Sequence, residues 1–175
     1  MTKIETVKSS KKLSRADFLR GGFTSSTQPI RPPWAVSENI FIDICQRSND
    51  CIQACPENII VKSNGGFPSI DFNLGECTFC KRCLENCPTG ALALPYDSSE
   101  TIPSPWHLNV EISTTCLSSK KIECQICIDQ CEPEALQMKP AIGGPVAPTI
   151  NQNLCTGCGA CVRPCPVNAI KIVQQ

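Results

Sequence analysis

Fifteen cysteines dominate the chemistry open to this chain, and their spacing is regular. They fall into four runs. The first is Cys45, Ser48, Cys51 and Cys55, followed by Pro56. The second is Cys77, Cys80, Cys83 and Cys87, followed by Pro88. The third is Cys116, Cys124, Cys127 and Cys131, with Pro133 one place late. The fourth is Cys155, Cys158, Cys161 and Cys165, followed by Pro166. The shared pattern is C-x2-C-x2-C-x3-C-P, with two departures. Ser48 stands at a cysteine position, and seven residues, Leu117 to Glu123, widen the first gap of the third run. Thiolate sulfur is a soft ligand suited to iron–sulfur clusters. Three thiolates at this spacing lie on one tight loop and grip three corners of a cubane. The fourth starts a short helix, points away and serves the other cluster of a pair, while the proline turns the chain out.

That crossing rule predicts four sites, holding up to four 4Fe–4S clusters. Site one is Cys45, Cys51 and Cys87, with Ser48 in place of the fourth cysteine. Site two is Cys77, Cys80, Cys83 and Cys55. Site three is Cys116, Cys124, Cys127 and Cys165. Site four is Cys155, Cys158, Cys161 and Cys131. Serine oxygen is harder than thiolate and its hydroxyl far less acidic. Site one is therefore left between an oxygen- or solvent-ligated 4Fe–4S cluster, a 3Fe–4S cluster, a labile site and a decayed one. Asn49 and Asp50 are nearby substitutes. In the third run, Lys120 and Lys121 read as part of a solvated loop. Gly157 and Gly159 flank Cys158, where backbone must approach a cluster. The competing reading is structural zinc, which prefers two separated pairs of ligands, and the repeated triplet-plus-one does not match it.

The elements that must carry these loops are small. Cysteines account for fifteen of the residues behind the 41 % apolar share, so a conventional core is thin. Clusters that link each half-module to the other would act as the missing core. Short apolar runs follow the cysteines at 59–61, 91–94, 135–138 and 169–172 and read as strands. Gly65-Gly66 and Gly143-Gly144 mark turns, and second runs follow at 69–72 and 149–150. A short helix is expected from Lys81 to Asn86. The predicted fold class is α+β, a tandem of two bicluster ferredoxin modules of bacterial type at 41–95 and 108–175. The Pro- and Ser-containing stretch 96–107 reads as a linker.

Charge is uneven although the chain as a whole is neutral. Residues 1–40 hold seven Lys/Arg against three Asp/Glu, net +4, and the remainder nine against thirteen, net −4. A 4Fe–4S core with four thiolates adds about −2 per site. A basic, partly disordered arm on an acidic body suits a protein partner better than nucleic acid. Within the arm, Arg31-Pro32-Pro33-Trp34 reads either as a stiff stem presenting an aromatic anchor or as a segment packed on the body. No apolar run approaches the roughly 18 residues of a membrane span. The stretch from Ser14 to Leu19 resembles a twin-arginine export signal only faintly, lacking the second arginine and an apolar region. A reducing, cytoplasmic setting is expected, in which metal sites prevail over disulfides.

The four runs, the widened third gap with Cys131-Glu132-Pro133 after it, and Arg31-Pro32-Pro33-Trp34 together resemble the ferredoxin-type accessory proteins of periplasmic nitrate reductase, the NapF family. The resemblance spans nearly the whole chain, and Ser48 departs from it. It implies a cytoplasmic protein with four 4Fe–4S clusters. Its implied partner is the precursor of the nitrate reductase catalytic subunit, whose iron–sulfur cluster assembly it assists before export. Alternatively, the chain passes single electrons to a reductase partner. No catalytic constellation accompanies the cysteines: His107, the only histidine, lacks a convergent base or nucleophile, and Gly21-Gly22 lacks the setting of a nucleotide loop. A non-enzyme is expected.

Overall fold

The structure, a computed structural model, describes residues 28–94, 104–139 and 148–174. Elements are short because every cysteine loop ends on a proline-flanked turn. Helix α1 (Glu38–Ile44) leads into the first loop, α2 (Asp50–Ala54) closes it, α3 (Arg82–Glu85) closes the second and α4 (Ile126–Asp129) the third. The fourth loop ends in turns over 160–164. Among the described residues, three two-stranded antiparallel sheets complete the architecture. β1 (Ile60–Lys62) pairs with β2 (Pro68–Ile70), placing Ile60 opposite Ile70. β3 (Leu108–Ile112) pairs with β6 (Ile170–Gln174), placing Val110 opposite Ile172. β4 (Leu136–Gln137) pairs with β5 (Thr149–Ile150). The chain is thus a small mixed α/β protein.

The repeat is visible in the backbone. Three residues beyond the last cysteine of each run, the chain turns left-handed: Asn58 (φ 55°), Gly90 (φ 70°), Glu134 (φ 52°) and Asn168 (φ 48°). Asn tolerates this conformation and Gly favours it, whereas Glu134 is held there by its setting. Its N–H donates to the Cys131 carbonyl over 2.9 Å, as that of Asn58 does to Cys55 and that of Asn168 to Cys165, both over 3.2 Å.

Two apolar cores lie between the cysteine loops. Phe41, Ile59, Ile60, Phe72 and Leu92 build the first, together with Leu108 from the start of β3. Val110, Leu136 and Ile170 build the second with Cys161. Val162 and Ile172 pack against both. Leu108 and these shared residues join the two halves directly.

Three expectations need correction. Strand structure at 91–94 is reduced to a single bridge between Leu92 and Ala35. The anchor reading of Arg31-Pro32-Pro33-Trp34 does not hold, and residues 28–40 are a built part of the first half. Pro32 and Pro33 are fully buried and Trp34 is buried. The backbone around Trp34 takes the place that β3 holds in the second half: Val36 N–H donates to Ala91 O over 3.1 Å and Ala93 N–H to Trp34 O over 3.0 Å. Arg31 fastens this strap. Its Nε and Nη2 form a fork on the Glu38 carboxylate at 2.9 and 2.7 Å, and its Nη1 donates to Pro68 O at 2.9 Å. The guanidinium stacks over Phe41 and Phe67, 4.9 and 5.5 Å from the ring centroids. The third correction concerns 96–107, of which 104–107 are described. Pro105 O accepts from Trp34 N–H at 2.8 Å, and half-buried Trp106 sits between the halves, so the described end of this stretch is packed on the body, while 96–103 lie outside the described residues. The arm's residues 1–27 and the Gly143-Gly144 turn lie outside the described residues.

Candidate metal centres

Four concavities of nearly equal size pit the described surface, and each is lined by one set of the crossing rule. Cys55, Cys77, Cys80 and Cys83 line one of about 350 Å³. Cys131, Cys155, Cys158 and Cys161 line one of about 370 Å³. Cys45, Ser48, Cys51 and Cys87 line one of about 330 Å³. Cys116, Cys124, Cys127 and Cys165 line one of about 360 Å³. The apolar parts of the walls come from the post-proline segments and strands, such as Ile59 and Ile60, Ala135 and Leu136, Ala91 and Leu92, and Ala169 and Ile170. Among the described residues, no three or more His, Cys, Asp or Glu form a group suited to a single metal ion. Four cysteine positions (three at site one, with Ser48) line each concavity as a close triplet plus one from another run, which matches the donor set of a cluster rather than the two separated ligand pairs of structural zinc. His107 is exposed and lines none of these cavities.

The sulfurs repel one another across these spaces. Burial pushes Cys77 up to about 12, with Cys55, Cys80 and Cys158 adding to it. Burial also pushes Cys83 up to about 12, with Cys77, Cys55 and Cys80 contributing. Cys51 rises to about 11 through burial and its neighbours Cys87 and Cys45. Cys127 rises to about 11 through burial, Cys116, Cys124 and Cys165. Burial raises Cys155, with Cys158 and Cys131 adding to it. Cys161 reaches about 12 through burial, Cys158, Cys155 and also Cys127 of the adjoining set. Thiols so placed stay protonated near neutrality unless a cationic core offsets the repulsion, and cysteine binds iron as thiolate. The donor set therefore fits an iron–sulfur core.

Backbone N–H groups point at the sulfurs and favour their charged form. Ile52 supports Cys51, Phe79 supports Cys77, Leu84 supports Cys83 and Gly157 supports Cys155. Leu92 N–H donates to Cys87 Sγ at 3.3 Å, and Ala169 N–H donates to Cys165 Sγ at 3.2 Å. Such bonds tune the potential of a bound cluster.

Ser48 sits on an intact loop. The residues flanking Cys80 are left-handed, Phe79 at φ 53° and Lys81 at φ 62°, and those flanking Cys158 are Gly157 at φ 73° and Gly159 at φ 84°. Around Ser48 the same pair recurs, with Arg47 at φ 57° and Asn49 at φ 70°. The backbone keeps the ligand position and only the donor atom has changed. Ser48 is exposed, as Cys80 is at the matching place. The widened third gap is also ordered. Ser118–Lys120 form a 3-10 turn, and the fully buried Ser118 donates its hydroxyl to Cys124 O over 2.7 Å. Lys120 and Lys121 are exposed on its outside.

Residues that sequence reasoning missed lie between the sites. Trp106 stacks edge-on against Phe72 and Phe79 at 5.8 and 5.9 Å and donates Nε1–H to Thr156 O at 3.0 Å. Gly157 and Gly159 were the available signal, but their smallness serves these rings. A Cβ at Gly157 would stand 2.6 Å from Trp106 Nε1, and one at Gly159 would fall within the Phe72 ring.

Comparison with known proteins agrees with this geometry. The 4Fe-4S dicluster domain model matches residues 44–91, and the 4Fe-4S binding domain model matches residues 148–171. Ferredoxin-type protein NapF of Escherichia coli K12 is 38% identical over 157 residues, covering 90% of this chain and 92% of that protein. NapF of Haemophilus influenzae is 41% identical over 168 residues, with the same coverage of 90% and 92%. The methylamine utilization ferredoxin-type protein MauM of Paracoccus denitrificans is 30% identical over 182 residues, 93% of this chain and 79% of that protein. The cysteine-lined cavities and the domain matches make this a protein of multiple 4Fe–4S clusters. With identity sustained over nine-tenths of its length, the chain belongs to the NapF family of ferredoxin-type iron–sulfur proteins.

Proposed function

We propose that this protein holds clusters at all four cysteine-lined sites. It assists assembly of the iron–sulfur cluster in the catalytic subunit of periplasmic nitrate reductase, acting on the cytoplasmic precursor before export. It is not itself an enzyme. Sites two, three and four each use four thiolates in the crossed pattern, and site one uses Cys45, Cys51 and Cys87 with Ser48 at the fourth corner. A bound 4Fe–4S cluster supplies one-electron chemistry. The chain's own residues set the conditions for it: strands and loops wall the cavities, backbone N–H groups hold thiolate charge, and prolines turn the chain away. Site one carries the assembly reading. Its intact loop presents an exposed, weak oxygen donor beside three sulfurs, an arrangement that favours release or exchange over permanent retention.

The experiment compares the reductase catalytic subunit purified from cells with and without this protein. An inactive, iron-depleted subunit from the deletion strain is the expected result. A loaded subunit that works with an artificial donor but is starved of electrons in the cell would make the protein an electron carrier instead. A subunit normal on both counts would overturn the choice of partner.

A further inference from the structure

Crossed ligation already ties the sites within each half. Cys51 of set one and Cys55 of set two lie one turn apart on and after α2, and Cys127 and Cys131 stand likewise on and after α4. The halves themselves meet at a third place. Cys77 N–H donates to Cys158 O over 2.8 Å, a direct main-chain bond between a ligand residue of set two and one of set four. Trp106 covers it: its ring contacts Phe79 on the set-two loop, and its Nε1 holds Thr156 on the set-four loop. Arg163 reinforces the join by donating to Leu74 O at 3.1 Å.

We infer that the two halves form one electronically continuous series in the order one, two, four, three, with the Cys77–Cys158 bond as the junction and Trp106 as its positioning residue. The inference rests on the iron–sulfur reading above. With clusters bound, one electron would leave a reduced centre and be taken up by its oxidised neighbour, so charge would balance without a proton or third reactant. An external one-electron reductant and a one-electron acceptor work at the ends. Those ends are site one, with its serine, and site three, with its widened loop. Sites two and four face each other and are the interior of the series.

The test uses the full, cluster-loaded chain reduced with dithionite. Iron and acid-labile sulfide are counted, and electron paramagnetic resonance is recorded at two microwave frequencies to separate spin coupling from g-anisotropy. Trp106→Ala is expected to keep the wild-type iron and sulfide while losing the coupling between sites two and four. Should that variant shed iron, Trp106→Phe, which keeps an aromatic ring at the seam but loses the pyrrole half of the indole and its bond to Thr156, is expected to show a reduced splitting at full iron content. An iron-replete variant with the wild-type splitting would overturn the inference. A wild-type chain without iron and sulfide would instead fail the iron–sulfur reading, and the metal count alone distinguishes the two failures.

Discussion

The ring of Phe72 occupies the space that a side chain at Gly159 would need. Phe72 closes the first core, and Gly159 belongs to the loop between Cys158 and Cys161. Their contact makes a cluster loop of one half the lining of the other. Gly159 is also left-handed at φ 84°, a conformation costly for any residue with a Cβ. Gly159→Ala is therefore expected to destabilise the loaded protein by at least about 2 kcal/mol through overpacking and backbone strain. Anaerobic urea unfolding checks this, and an unchanged midpoint would refute it.

Arg31 gives a second prediction. It is one-tenth exposed and joins the strap to α1, β2 and two aromatic rings. Arg31→Ala is expected to cost about 2 kcal/mol, since it leaves Glu38 unpaired and Pro68 O without its donor. Arg31→Lys is expected to recover only part of this, because an ammonium cannot reproduce the planar fork. Paired unfolding curves of both variants would show the order, and full recovery by lysine would deny the fork its role.

At site one the donor atom alone is in question, because the loop backbone matches its counterparts. Ser48→Cys is expected to raise the iron retained on purification by up to about one atom per chain, by holding the weakly bound fourth corner, and to slow iron loss in air. Iron and sulfide analysis before and after timed exposure to oxygen measures both. Identical values in the two proteins would mean that Ser48 already supports a full cluster or that the site is empty.

Acidity should act in opposite senses on the fold and on its clusters. Relative to 9.0, burial and like-charge neighbours push Cys51 and Cys127 up to about 11 and Cys77, Cys83 and Cys161 up to about 12. Between pH 9 and these values, the cluster-free fold keeps protons that the unfolded chain has released. Its stability is whole below pH 9 and falls as pH rises through that window. Cluster binding needs thiolates, so protons displace iron as pH falls. The reduced, cluster-free chain is expected to unfold at lower urea at about pH 11 than at about pH 8. The loaded protein is expected to retain less iron after desalting at about pH 5 than at about pH 8. A urea midpoint that rises with pH would contradict the buried placement of these thiols.

Much of the site was legible because ligand spacing is a local property. Three cysteines on a tight loop point into one cavity whatever the rest of the chain does, whereas the fourth sulfur reaches its cavity only when the paired run packs alongside. The strands at 60–62, 68–70, 136–137, 149–150 and 170–174 were legible for a similar reason: short apolar runs between turns have few other uses. The reading of 28–40 as an arm failed because its composition is polar and proline-rich, while its burial depends on partners far away in sequence. Arg31 finds Glu38, Phe41, Phe67 and Pro68 only after the first half has closed, and Trp34 N–H finds Pro105 O only once the chain has returned.

By itself, then, the sequence determined the chemistry: fifteen soft donors in four spaced runs, one serine at a cysteine position and a thin apolar core. The tertiary structure alone decided how the sets are ordered. Cys77 and Cys158 stand 81 positions apart (158 − 77), and no local periodicity relates them. Their hydrogen bond exists because Leu108, Val162 and Ile172 draw the two small cores together, and because two glycines leave room for Phe72 and Trp106 at the seam. Burial of apolar surface is non-directional and cannot be read from spacing, yet it places one ligand loop against another.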